Sequence, residues 1–219
     1  MQVQEFYDEF RRVMDDVAKH QLWSDEEILN YLNSAIDEAC ERARLIEDRV
    51  TPDCCAIDLA TGTADYPLHQ SVLHVKRVTY LGQPLEETSV EQMDRDDSSW
   101  ETRNGPPCKF IQTETSIRIV PTPTAAAVAA GGIALTVYRT QLTPLASESE
   151  EPEIPVRYHL RLMPWTYRCA LMKTDSETKD MPKALEHEAI FIASFGQRPD
   201  ANVQRKRRDR RPPTTRMVF

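Results

Sequence analysis

The sequence predicts an α+β protein: a four-helix unit with an inserted antiparallel β-sandwich or open barrel and an extended basic C-terminal tail. Three observations predict it. Apolar residues recur at helical spacing up to about residue 47, residues 55 to 140 change to short alternating runs broken by turn residues, and helical spacing returns after Pro155. Helices that flank a single insertion pack most economically against one another, with the strands projecting from one end. The implied division is 1–54 with 150–203 for the helical bundle, 55–145 for the β-rich insertion and 204–219 for the tail. There are no internal repeats.

The first helix carries Phe6, Phe10, Val13, Met14 and Val17 on one stripe, with Asp8, Arg11, Arg12, Asp15 and Lys19 largely off it. The second has an explicit start in Trp23-Ser24-Asp25-Glu26-Glu27-Ile28. Ser24 is placed to cap the helix, Glu27 to close a capping box, and Trp23 with Ile28 to form a hydrophobic staple. Its stripe of Ile28, Tyr31, Leu32, Ala35, Ile36, Ala39, Ala43 and Ile46 runs to about residue 47, and Thr51-Pro52 ends it.

Six strands are expected in the middle: Cys55 to Ala60, Ala64 to Leu68, Val75 to Leu81, Lys109 to Thr113, Ser116 to Val120 and Ile133 to Arg139. Thr61-Gly62-Thr63, Gly82-Gln83-Pro84 and Asn104-Gly105-Pro106-Pro107 supply turns between them. Ser89 to Asp97 reads as a short acidic helix, and Thr122 to Gly132 as a flexible loop. Beyond a Glu-rich linker from Leu145 to Pro155, Leu160, Met163, Tyr167, Ala170 and Leu171 mark a helix that Pro164 is expected to kink or break. A last helix starts near Asp180-Met181-Pro182 and runs through Leu185, Ala189, Ile192 and Phe195.

At 219 residues and 40% hydrophobic the chain can bury a substantial core. It has no run of about 18 apolar residues, and its charged N-terminus is unlike a signal peptide, so a cytosolic site of assembly and no membrane are expected. Five cysteines, odd in number and scattered, fit reduced thiols. The histidines His20, His69, His74, His159 and His187 form no HExxH, and the vicinal Cys54-Cys55 pair lacks the CxxC spacing of a zinc grip; it reads as a partly buried strand edge. With six glycines, neither a P-loop nor a dinucleotide fingerprint can be written. Serines lack the GxSxG elbow, and Asp94, Asp96 and Asp97 read as a solvated face. The expectation is therefore no catalytic residue, no metal and no cofactor.

The formal charge of −8 conceals an asymmetry, because residues 198–216 hold eight Arg or Lys against two Asp. An acidic body is poorly suited to wrapping nucleic acid. The run Arg205, Lys206, Arg207, Arg208, Arg210 and Arg211 has three readings: a solvated tail, a nucleic-acid-binding segment of an accessory protein, or a segment that orders on an acidic protein surface. The apolar Met217, Val218 and Phe219 that follow suit a protein groove better than a phosphate backbone.

The order of several short motifs then matters: Trp23 to Asn33, Gly62-Thr63-Ala64-Asp65-Tyr66-Pro67-Leu68, Gly105-Pro106-Pro107, Ile117 to Pro123, Leu135 to Arg139 and Glu153-Ile154-Pro155. In this order, from about residue 20 to 210, the chain resembles the head-to-tail adaptor (connector, or neck) proteins of tailed bacteriophages. The resemblance implies a structural virion protein assembled in the host cytoplasm. It also implies a homo-oligomer, a dodecameric ring beneath the portal protein, that extends the DNA channel and offers a platform to a downstream tail or nozzle protein. Genomic DNA would pass through without sequence-specific binding. Portal binding would fall on Arg205, Lys206, Arg207, Arg208, Arg210, Arg211, Met217, Val218 and Phe219. Gly196-Gln197-Arg198-Pro199 departs from a continuous last helix.

Overall fold

Two capping boxes start the N-terminal helices. Helix α1 (Val3–Met14) opens where the Gln2 N–H donates to Glu5 Oε2 at 2.8 Å, and α2 (Asp25–Ala43) where Glu27 N–H donates to Ser24 Oγ at 3.2 Å and Ser24 N–H to Glu27 Oε2 at 2.9 Å. Trp23 and Ile28, on either side of the second cap, are both buried. The computed structural model describes residues 1–17, 21–174, 178–200 and 203, and among them it contains seven α-helices and eleven strands, a mixed α+β protein.

The chain continues through β1 (Ile46–Asp48), α3 (Pro52–Cys55), β2 (Ala56–Ile57), β3 (Asp65–Pro67), β4 (Val72–Tyr80), β5 (Gln83–Pro84) and β6 (Glu86–Glu87). Next come α4 (Val90–Asp96), β7 (Asn104–Gly105), β8 (Lys109–Gln112), β9 (Ser116–Val120), β10 (Thr122–Pro123), α5 (Ala125–Ala130) and β11 (Ile133–Arg139). Helices α6 (His159–Leu171) and α7 (Met181–Phe195) complete it. Two compact units result, one made of Met1–Ile46 with Arg139–Arg198, the other centred on Glu47–Tyr138.

In the first unit α1, α2, α6 and α7 pack together around Phe6, Phe10, Ile28, Leu32, Ile36, Leu162 and Phe191, all essentially without solvent contact. Phe10 meets Trp23 edge-on with ring centroids 5.6 Å apart, and Trp165 lies 5.0 Å from Phe191. The first helix is shorter than its apolar spacing predicts. It stops at Asp15, whose φ of 54° is left-handed, so Val17 falls beyond it and is 74% exposed, while Val13 in the last turn also faces solvent. The cause is Asp16, a buried carboxylate that accepts from Leu22 N–H at 2.8 Å and from Arg11 Nη1 at 3.0 Å and so turns the chain. The second helix likewise ends at Ala43, where Arg44 takes φ 51° and Ile46 passes into β1 rather than extending the stripe.

Helix α6 runs unbroken through Pro164, so the break allowed there does not occur. A 3-10 turn (Val156–Tyr158) precedes it, and the proline removes one hydrogen bond. Packing against α2 and α7, with Leu162, Met163, Trp165, Thr166 and Tyr167 buried, outweighs that loss. Helix α7 starts where the sequence places it: Asp180 Oδ1 accepts the Lys183 N–H at 3.1 Å, and Pro182 stands in the first turn.

The second unit is neither a sandwich nor a barrel of six antiparallel strands. Its strands form three open sheets, ordered β1-β11-β4-β5 (with β2 also on β11), β3-β9-β8-β6 and β10-β7, and two of the pairings, β6 with β8 and β10 with β7, are parallel. All six expected strands exist. The five others have two or three residues each, too few to show an alternating pattern, and they divide the strands among separate sheets. In the β8–β9 hairpin Phe110 pairs with Ile119 and Ile111 with Arg118. The loop expected at Thr122 to Gly132 contains α5, because Thr124 caps a run of alanines, the strongest helix formers. Tyr80 donates its hydroxyl to the Ala127 carbonyl at 2.8 Å. After α5, Gly132 passes so close to β2 that a Cβ there would lie 2.9 Å from the Ile57 carbonyl oxygen.

Candidate functional site

The chain leaves α7 under firm control. Arg42 of α2, its side chain only 4% exposed, donates to Glu38 Oε1 at 2.6 Å and to the Gly196 carbonyl at 3.1 Å. Its guanidinium carbon lies 5.1 Å from the ring centroids of both Trp165 and Phe191. Gly196 closes the helix at φ 85°, its N–H donating to the Ile192 carbonyl at 2.7 Å. Arg198 then reaches back to Glu41 at 2.9 Å and Glu38 at 3.8 Å, and these carboxylates hold its guanidinium protonated more firmly than usual. This is the base from which the basic segment departs. Arg205, Lys206, Arg207, Arg208, Arg210, Arg211, Met217, Val218 and Phe219 themselves lie outside the described residues, as does His20.

A second clamp organises the linker before α6. Asn33 Oδ1 accepts from Gln141 Nε2 and from Leu145 N–H, both at 2.9 Å, while its Nδ2 donates to the Leu145 carbonyl at 3.0 Å. Further on, the Glu148 and Glu150 carbonyls accept the Gln4 and Val3 N–H groups at 3.1 and 3.0 Å, partners that the first turn of a helix lacks within itself. No sequence signal marked Asn33, whose partners lie far along the chain, or Asp16, which reaches a backbone N–H; Arg42 shows only its i,i+4 spacing from Glu38, not its reach to Gly196.

The solvent side of α7 mixes apolar with charged residues: Met181, Leu185 and Ile190 are 41, 60 and 51% exposed, beside the exposed Lys183 and Glu186. Val156 and Leu160, at the start of α6, are exposed too.

Groups that could do chemistry are engaged or muted. A pocket of 260 Å³ in the second unit is lined by Met93, Asp96, Asp97, Trp100, Arg103 and Lys109, among others. Its charges answer one another: Arg103 pairs with Asp97 at 2.8 Å and Lys109 with Asp96 at 3.9 Å. Asp94 accepts the Trp100 indole N–H at 2.8 Å, and Asp97, held below the usual carboxylate range by the Ser99 N–H, closes the turn after α4. Burial pushes the Cys40 thiol up to about 12 and that of Cys55 to a similar value, which removes both as nucleophiles at neutral pH. His187 is depressed by burial, and among the described residues its Nδ1 has no hydrogen-bond partner.

The vicinal thiols are not on a strand edge. Cys54 and Cys55 sit in the single turn of α3, fully buried, and their sulfurs lie 3.7 Å apart beside the carboxylate of Asp48 on β1.

Comparison with known proteins shows the family of the chain. A family model described as SU10 adaptor protein matches residues 1–217. The chain belongs to the SU10 adaptor protein family. SU10 adaptors are phage head-to-tail adaptors, structural components of the virion, and this is the family type that the order of motifs resembles. No curated protein matches the chain. No described helix of this SU10 adaptor is long and apolar enough to cross a membrane.

Proposed function

We propose that this adaptor assembles into a dodecameric ring beneath the portal, extends the DNA channel and presents a platform to the next tail or nozzle protein. The observation that carries this reading is the family match along residues 1–217. The exposed apolar residues Met181, Leu185 and Ile190 of α7 support self-association, since a ring needs a heterologous contact between unlike faces of neighbouring copies. Portal docking falls to Arg205, Lys206, Arg207, Arg208, Arg210, Arg211, Met217, Val218 and Phe219. A single short segment binds weakly, and repetition around a ring compensates. The acidic body faces the DNA path, where like charge keeps the genome sliding.

The test is the mass of the protein alone and mixed with its portal, for the full chain and for a chain ended after Pro199. The full chain forms a salt-sensitive portal complex and binds little free DNA. The shortened chain folds and forms none. Undiminished portal binding by the shortened chain refutes the docking assignment, and steep salt-dependent DNA affinity of the isolated full chain favours a nucleic-acid-binding accessory role instead.

A further inference from the structure

Three metal-ligating groups that the adaptor role leaves unused meet in the second unit. Asp48, Cys54 and Cys55 are 8, 3 and 4% exposed. The two sulfurs are 3.7 Å apart, Cys55 Sγ is 3.6 Å from Asp48 Oδ1, and Cys54 Sγ is 3.9 Å from Oδ2. A tetrahedral zinc ion with bonds of about 2.3 Å to sulfur and about 2.0–2.2 Å to oxygen separates its ligands by about 3.8 Å (S to S) and about 3.5–3.7 Å (S to O). The observed S–S and S–O separations are thus close to those values, with Cys55 facing Oδ1 and Cys54 facing Oδ2 of the one carboxylate.

We propose that Asp48, Cys54 and Cys55 form a binding site for a thiophilic divalent cation of the zinc class, with the fourth position left to a water or other external donor. The local fold prepares it. Val50 N–H and Thr51 N–H donate to Asp48 Oδ1 at 2.9 and 3.1 Å, and the Thr51 hydroxyl donates to Oδ2 at 2.7 Å. Such bonds orient a ligating carboxylate before the metal arrives. Pro52 starts a helix of one turn, and the chain becomes extended at Ala56, so two adjacent cysteines turn their sulfurs to the same carboxylate. Hard cations are disfavoured, since calcium and magnesium require six or more oxygen-rich positions and two donors here are sulfur. Loading replaces two S–H bonds by two metal–sulfur bonds and sends two protons to solvent. The bound ion ties β1 to α3 across a seven-residue span at one end of the β1-β11-β4-β5 sheet.

The test uses the full chain and Co(II) as a coloured stand-in for zinc. One equivalent gives a thiolate-to-cobalt charge-transfer band with a tetrahedral ligand-field spectrum, and zinc bleaches both. Replacing both cysteines by serine abolishes the band. Thr51→Val, which keeps all three ligands and loses only the hydroxyl that orients the carboxylate, weakens binding by about 10–100-fold. Alkylation of the unaltered protein, mapped by mass spectrometry, shows zinc protecting Cys54 and Cys55 beyond their protection without it. Absence of the charge-transfer band in the unaltered chain, its survival in the double serine variant, or zinc protection confined to Cys40, Cys108 or Cys169 overturns the proposal.

Discussion

Replacing Arg42 by methionine tests whether the departure point of the basic segment is as firmly built as its geometry implies. Methionine keeps much of the aliphatic stem and deletes the charge. Glu38, whose side chain is 9% exposed, then loses the partner that holds Oε1 at 2.6 Å, and the Gly196 carbonyl loses its donor. Breaking a buried ion pair from one side costs about 3–5 kcal/mol. The low end applies here, because Arg198 lies 3.8 Å from Glu38 and can partly replace the lost charge. A loss of about 3 kcal/mol lowers the melting temperature by about 6–12 °C for a chain of this size. Urea unfolding followed by tryptophan fluorescence reads it directly, because Trp165 lies against Arg42. Removing both charges at once, as Arg42→Met with Glu38→Leu, should restore most of the stability, since the cost lies in the orphaned carboxylate. A single-variant loss below about 1 kcal/mol, the level of an exposed pair, refutes the reasoning.

Ser24→Ala removes the cap of α2 and should cost about 1 kcal/mol in the same urea experiment, with Ser24→Gly costing less. Glu27 is held below the usual carboxylate range by Lys173 and the Ser24 N–H, so it stabilises the fold above the unfolded value of about 4.5 and that contribution is lost as pH falls from there through the lower folded value. Glu27→Gln should flatten this part of the acid-unfolding profile. His187, depressed by burial, binds its proton more readily when unfolded, so stability should fall as pH drops below about 6.5, and His187→Phe should abolish that slope. Leu185→Asp on the solvent side of α7 should reduce self-association in sedimentation runs while leaving the melting temperature within a few degrees.

What the sequence disclosed follows from the range of the forces involved. Ser24 with Glu27, Asp180 with Pro182, and Thr61-Gly62-Thr63 act within a turn of chain, so the starts of α2 and α7 and the reversal into β3 could be read directly. The end of α1 depended on Asp16 reaching Leu22 and Arg11, and α6 survived Pro164 through packing against α2 and α7; neither has a local signature. The segment Thr122 to Gly132, expected to be a loop, holds α5, although its Thr124 cap and alanine run are local helix signals. The Asp48, Cys54 and Cys55 triangle was hidden by the rule that thiolates gripping a metal need two residues between them, whereas the one-turn α3 brings adjacent sulfurs to one carboxylate. Asn33 was invisible for a different reason: its partners lie 108 and 112 residues away.

The helical unit is written in two instalments, one before residue 47 and one after residue 138, whereas the described strands all fall in one stretch between them, 46–139. During synthesis the strands can therefore close as they emerge from the ribosome, but α1 and α2 must wait with Ile28, Leu32 and Ile36 bare until α6 and α7 have been translated. Helix α7 also bears the exposed Met181, Leu185 and Ile190. The apolar residues on its solvent side are thus translated last, together with the buried Ala184, Phe191 and Phe195 that close the helical interior.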